Sequence, residues 1–189
     1  MSPFDEERLL DGARAFDLVT LAEVYDRFSP GLFTYAARLL GDPDLAEDCV
    51  SETFTRLLKA LRTGYGPQDH LRAYLYRTAH NWITDRYRRQ PLPPLELDAD
   101  LHADPGPSPE TEVEERLVNQ QTRTALAALT PDQRQVIVLR FIEGWDIEEV
   151  AVTLQKPTGA VKALQHRALG AMRRWLMKHS RRPTIAGER

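Results

Sequence analysis

The sequence predicts an all-α protein of two small helical domains joined by an acidic linker. Three observations predict it. Apolar residues recur at helical spacing through most of the chain. Helix-starting residues stand at Asp42-Pro43, Thr130-Pro131 and Asp146, where an N-cap and a proline in the first turn are favoured. The stretch Pro91 to Pro109 (PLPPLELDADLHADPGPSP) is rich in proline and acid and lacks lysine and arginine, so it cannot bury a core. The expected organisation is a tail over 1–17, a helical domain over 18–90, the linker over 91–109, a second helical domain over 110–177 and a basic tail over 178–189. With 189 residues and 42% hydrophobic content, each half has the size of a small domain.

Met1 to Asp17 is acidic and weakly patterned, a tail or a loose first helix. Leu21, Val24, Tyr25 and Phe28 then fall at helical intervals. Ser29-Pro30-Gly31 is expected to interrupt them before Leu32, Phe33, Ala36, Leu39 and Leu40 resume and Gly41 closes the run. From Asp42 a helix carries Leu45, Cys49, Val50, Phe54, Leu57, Leu58 and Leu61 along one stripe. Its other face holds Asp48, Ser51, Glu52, Thr55 and Lys59. Cys49 lies within the stripe and reads as a small core residue.

Arg62 to His70 (RTGYGPQDH) is a loop by its glycines and proline. The run LRAYLYRTAHNWITDRYRR is a helix with Leu71, Tyr74, Leu75, Thr78, Ala79, Trp82 and Ile83 on its apolar side. Arg72, Arg77, His80, Asn81, Asp85, Arg86, Arg88 and Arg89 lie on the other. Rings interleaved with guanidinium groups suit melted nucleic acid, because rings stack on bases while arginines follow phosphates. Tyr74, Tyr76, Trp82 and Tyr87 belong either to such a surface or to the core.

The second domain opens with a helix through Val113, Leu117, Ala125 and Leu126. Thr130-Pro131-Asp132-Gln133 is a capping box, starting a helix with Val136, Ile137, Leu139 and Phe141 that ends at Gly144. Asp146 with Glu149 forms a second cap, and Trp145 and Val150 have the spacing of a hydrophobic staple. The helix so begun carries Ile147, Val150, Ala151 and Leu154 and is broken by Gln155-Lys156-Pro157. Thr158 or Lys156 can cap the last helix, whose apolar side is Val161, Leu164, Ala168 and Met172. Its other positions offer Lys162, Gln165, His166, Arg167, Arg173 and Arg174, and every charged residue from Lys156 to Gly187 is basic. A short helix, a tight turn and a basic helix form the helix-turn-helix pattern, whose second helix reads the major groove. An ordinary helical hairpin with a solvated basic face is the alternative.

The net charge of -3 excludes a general polyanion binder, but charge is laid out in blocks, which suggests separate surfaces for separate partners. A single cysteine excludes a disulfide framework or a cysteine zinc site. No apolar run is long enough to cross a bilayer and no signal pattern opens the chain, so no membrane insertion and a reducing, cytoplasmic setting are expected. His70, His80, His102, His166 and His179 have no ligand spacing and no nucleophile beside them, so no catalytic residues, metal or cofactor are expected.

Taken in order, three motifs carry a family resemblance. DLAEDCVSETFTRLLKAL resembles the region 2.1–2.2 helix of bacterial sigma-70 family factors, and LRAYLYRTAHNWITDRYRR resembles their regions 2.3–2.4. LTPDQRQVIVLRFIEGWDIEEVAVTLQKPTGAVKALQHRAL resembles region 4. A short chain with an acidic linker in place of a region 3 domain resembles the extracytoplasmic-function (ECF) group. The resemblance implies a region 2 helical bundle and a region 4 helix-turn-helix acting as a promoter-specificity subunit of RNA polymerase.

In that reading Asp48, Ser51, Glu52 and Thr55 dock on the clamp helices of the largest subunit. The Arg62–His70 loop, with His70, Arg77, His80, Asn81, Trp82, Asp85, Arg88 and Arg89, captures unstacked bases of the minus-ten element. Region 4 sits on the flap of the second-largest subunit and reads the minus-thirty-five element through Lys156, Thr158, Gly159, Lys162, Gln165, His166 and Arg167. The implied partners are core RNA polymerase, promoter DNA both duplex and melted, and an anti-sigma factor; the linker would thread the polymerase cleft. A stand-alone helix-turn-helix regulator is the other reading. The acidic helix from Asp42 separates the two, because a repressor has no use for a carboxylate face coupled to an arginine-aromatic helix.

Overall fold

The computed structural model describes residues 3–89, 124–126 and 128–179. The linker, the stretch with Val113 and Leu117, and the chain beyond residue 179 lie outside the described residues. Four helices make the first half: α1 (Pro3–Arg14), α2 (Leu18–Leu40), α3 (Pro43–Arg62) and α4 (Leu71–Arg89). The second half holds α5 (Pro131–Ile137), which runs into a π-helical turn at Val138–Ile142, then α6 (Ile147–Leu154) and α7 (Thr158–His179). Among the described residues there is no strand.

The expected helix starts are present. Asp42 accepts from the backbone N–H of Leu45 at 3.0 Å. Thr130 and Gln133 form one reciprocal capping box, and Asp146 and Glu149 form another, each satisfying two N–H groups that would otherwise lack partners. Gln155 is left-handed, φ 53° and ψ 42°, at the end of α6. At the start of α7 the carbonyl of Pro157 accepts from the backbone N–H groups of Ala160 and Val161. That helix continues through Lys178 and His179, two residues into the stretch expected as a tail.

Three expectations about the elements need correction. Pro30 does not interrupt the second helix but sits inside a continuous α2. A mid-helix proline costs about 3 kcal/mol, and the buried row Val24, Phe28, Leu32, Tyr35 and Leu39 outweighs it. Residues 3–14, expected as a tail or a loose first helix, form a helix that is packed rather than loose: Leu9, Leu10 and Ala13 are buried and Arg8 pairs with Glu23 of α2. Phe141, expected in the core, is 55% exposed, because it lies within the π turn, whose extra residue shifts the helical face.

The two halves pack on each other. Tyr35 of α2 meets Tyr76 of α4 edge-on at 5.2 Å, and Tyr76 meets Trp145 at 4.8 Å. Gly31 makes room, since a Cβ there would stand 2.7 Å from the Tyr76 hydroxyl. Arg72 lies 3.9 Å over the Trp145 ring and 3.4 Å from the Glu149 carboxylate, and Arg38 pairs with Glu143 at 2.8 Å. Trp145 is therefore 2% exposed; the ring expected to staple α6 also plugs into the first half.

His80, expected on the nucleic-acid face, is buried in the same seam. Its Nδ1 is 3.2 Å from the Tyr35 hydroxyl and its Nε2 is 3.3 Å from Thr84 Oγ1, which suits a neutral ring with one donor and one acceptor. Burial pushes its pKa down from 6.5 to about 4; Asp132 opposes the shift, while Arg134 and Lys156 add to it.

Two outcomes follow. Leu9→Ala should lower the urea-unfolding free energy by about 2–5 kcal/mol, whereas Leu18→Ala, at a 77% exposed position, should change it by less than about 0.5 kcal/mol. Because folding depresses the His80 pKa, its contribution is complete above about pH 6.5 and is lost as pH falls toward 4, with an upper bound of roughly 3 kcal/mol. Urea titrations across that window should show stability falling with pH, and His80→Gln should flatten the slope.

Candidate nucleic-acid interface

Three exposed surfaces are built on this frame, each on the side of a helix left over after packing. On α3 the core stripe is Ala46, Cys49, Val50, Thr53, Phe54, Leu57 and Leu61. Burial pushes the Cys49 thiol up to about 12, so it stays protonated and inert. The opposite face presents Asp48, Ser51 and Thr55 to solvent, and the half-buried Glu52 accepts from Arg56 Nε at 2.8 Å. All four predicted residues share this face.

The second surface runs along α4 and the loop before it. Leu71, Leu75, Ala79 and Ile83 point into the core, while Asn81, Asp85, Arg88 and Arg89 are exposed together on the far side. Arg77 is half-buried with its guanidinium 5.6 Å over the Tyr74 ring. Trp82 is half-buried beneath Arg86, at 5.7 Å, and Arg88 pairs loosely with Asp85 at 3.9 Å. Arg56, Trp82, Asp85, Arg86 and Arg89 line a cavity of about 230 Å³, an open recess in which a planar ring could lie against the indole. Of the residues predicted on this surface His80 alone is withdrawn.

The loop between α3 and α4 exposes His70, at φ 50°, beside the same helix. It also exposes Tyr65, 86% accessible. Sequence reasoning named the loop but neither Tyr65 nor Arg56. An aromatic residue set between Gly64 and Gly66 belongs to no periodic face, and that was a legible signal that it faces solvent. Arg56 gave none, since its approach to Trp82 is a contact between helices.

The third surface is α7. Val161 and Ala168 are its buried residues; Thr158, Gly159, Lys162, His166 and Arg167 are all exposed. The first turn thus presents small exposed residues, with a basic edge one turn on, a layout suited to phosphate at the positive end of the helix dipole. Lys156 is half-buried and pairs with Asp132 at 3.3 Å. Gln165 departs from expectation: its Oε1 is buried and makes no hydrogen bond among the described residues, so its side chain turns toward the protein rather than outward.

Among the described residues no group of His, Cys, Asp and Glu could hold a metal ion, and no helix is long and apolar enough to cross a membrane.

Comparison with known proteins identifies the family to which the chain belongs. The sigma-70 region 2 family model matches residues 24–91, and the sigma-70 region 4 model matches residues 125–174. The chain is 32% identical over 178 residues to the ECF RNA polymerase sigma factor BldN of Streptomyces coelicolor, covering 92% of this chain and 66% of that one. It is 31% identical over 164 residues to the ECF RNA polymerase sigma factor SigL of Mycobacterium tuberculosis, covering 87% of this chain and 93% of the relative. Among solved structures, CnrH in complex with the cytosolic domain of CnrY matches with a TM-score of 0.68 at 25% identity, over 92% of this chain and 98% of that one. The sigma factor RpoE of Bartonella quintana, solved with the anti-sigma factor NepR, shares the fold with a TM-score of 0.60 at 21% identity, over 84% and 97% of the two chains. The chain belongs to the sigma-70 family, among its ECF RNA polymerase sigma factors.

Proposed function

We propose that this sigma factor docks on core RNA polymerase through the α3 face and the second half, and selects promoters by reading two elements at once. The observation that carries the reading is the layout on α3 and α4. An exposed acidic face stands on one helix, and exposed arginines with a half-buried tryptophan stand on the next. Asp48, Ser51, Glu52 and Thr55 are the clamp contact. His70, Tyr65 and the α4 residues Arg77, Asn81, Trp82, Asp85, Arg88 and Arg89 take up bases extruded from the minus-ten element, where stacking and phosphate contacts offset an unstacking cost of a few kcal/mol per base. Lys156, Thr158, Gly159, Lys162, His166 and Arg167 meet the minus-thirty-five duplex, mixing phosphate contacts that set register with base-edge contacts that specify. The domain limits become 1–90 for region 2, with α1 included, 91–109 for the linker and 110–179 for region 4. The site of action is the cytoplasm, where polymerase and promoters are. Since CnrH is solved with CnrY and RpoE with NepR, an anti-sigma factor is the expected regulator here too.

Run-off transcription with core polymerase on a promoter panel tests the reading; the expected result is a promoter-dependent product that neither component makes alone. No product, together with tight duplex binding by the isolated protein, would instead identify a stand-alone regulator. A division of labour between surfaces is also expected. Arg88→Ala should reduce open-complex yield about tenfold with core affinity nearly unchanged, while Glu52→Ala should weaken core binding by about tenfold. Permanganate footprinting and a core-binding titration measure the two separately, and equal effects in both assays would overturn the assignment of faces.

A further inference from the structure

Helix α4 starts in an unusual way. A helix normally takes its N-cap from a Ser, Thr, Asp or Asn in extended conformation just before it. Here the preceding residue is His70, left-handed at φ 50°, so the loop supplies no such cap. The backbone N–H of Arg72 instead donates to Glu6 Oε1 at 2.8 Å, across a sequence separation of 66 residues. The carboxylate thus stands at the positive end of the α4 dipole. Arg14, one turn past the buried Leu10 of the same helix, donates from Nε to the Pro67 carbonyl at 3.2 Å and from Nη2 to Gln68 Oε1 at 3.1 Å. Arg62, where α3 gives way to the loop, lies 5.7 Å over Phe16. The loop is thus held at its start, middle and end by α1 and the turn after it, while Tyr65 and His70 are exposed.

We propose that α1 sets the aim of the 63–70 loop, with Glu6 and Arg14 as positioning residues for minus-ten selection. The inference rests on the reading of that loop as a base-capturing element. A loop that closes on extruded bases loses conformational freedom as it does so; one already held at three points has less to lose and discriminates by geometry. Neither residue is needed to attach α1, which is anchored by Leu9, Leu10 and Ala13 and by the Arg8–Glu23 and Arg27–Asp5 pairs.

The test uses full-length protein and core polymerase on a promoter pool randomised at the minus-ten and minus-thirty-five positions, scored by transcript sequencing. Glu6→Ala and Arg14→Ala should each cut minus-ten base preference about fivefold while leaving core affinity and minus-thirty-five preference within about twofold. Glu6→Gln, which keeps an acceptor oxygen, should restore the preference. Amide exchange at residues 63–72 should quicken in Glu6→Ala, with the α2 and α3 core amides unchanged. Uniform loss of transcription without a change of preference, or unchanged exchange in the loop, overturns the proposal. Tyr65→Ala separates the two levels. If it flattens minus-ten preference and the α1 variants do not, the positioning role fails and the loop reading stands. If it changes nothing, the loop reading fails and the positioning role falls with it.

Discussion

The Tyr35–Tyr76–Trp145 stack, with Arg72 over its outer ring, is the contact on which the arrangement of the whole molecule depends. Each edge-on pair contributes about 0.5–1.5 kcal/mol beyond the area it buries, and a guanidinium against a desolvated indole adds up to about 2 kcal/mol. The stack is also directional. It begins on α2, passes through α4 and ends at Trp145, two residues before α6, so it fixes where the helix-turn-helix stands relative to the bundle. The polar groups around it are constrained in consequence. His80 is held neutral, burial pushes Tyr76 up to about 12, and the Trp145 Nε1–H is buried without a partner among the described residues, a cost of about 1–3 kcal/mol that the ring contacts must exceed.

Helix α4 is divided between uses because of that stack. One side, Leu71, Leu75, Ala79 and Ile83, belongs to the bundle; a second, Arg72, Tyr76 and His80, meets the other half; the third, Asn81, Asp85, Arg88 and Arg89, faces solvent. A helix has room for three such stripes only if each is narrow, and its apolar stripe is correspondingly mixed with tyrosine, threonine and histidine. The side that meets the second half is distinct from the side expected to meet DNA. Packing of the halves therefore leaves Asn81, Asp85, Arg88 and Arg89 accessible.

Local capping and distant capping divide the helix starts. Asp42, Thr130 and Asp146 cap helices from within three residues, so each of α3, α5 and α6 carries its own start signal. The start of α4 does not, and its order comes from α1. This is why residues that look like an acidic tail are structural, and why the exposed loop before α4 is tied to the most distant part of its own domain.

What the amino-acid order determined by itself was everything set within a turn or two of helix. The stripes of α3 and α7, both capping boxes, the break at Gln155-Lys156-Pro157, the exposed acidic face at Asp48 and Ser51 and the exposed basic face at Lys162 and Arg167 all follow from spacing and cap chemistry. The ordered motifs also sufficed to recognise the family. The tertiary structure decided what depends on partners far along the chain: the continuity of α2 through Pro30, the docking of α1, the burial of His80 and Trp145, the inward turn of Gln165 and the Glu6 cap on Arg72. The physical reason is range. Helical periodicity says which residues share a side, but a histidine and an arginine on the same polar side look alike until another helix covers one of them.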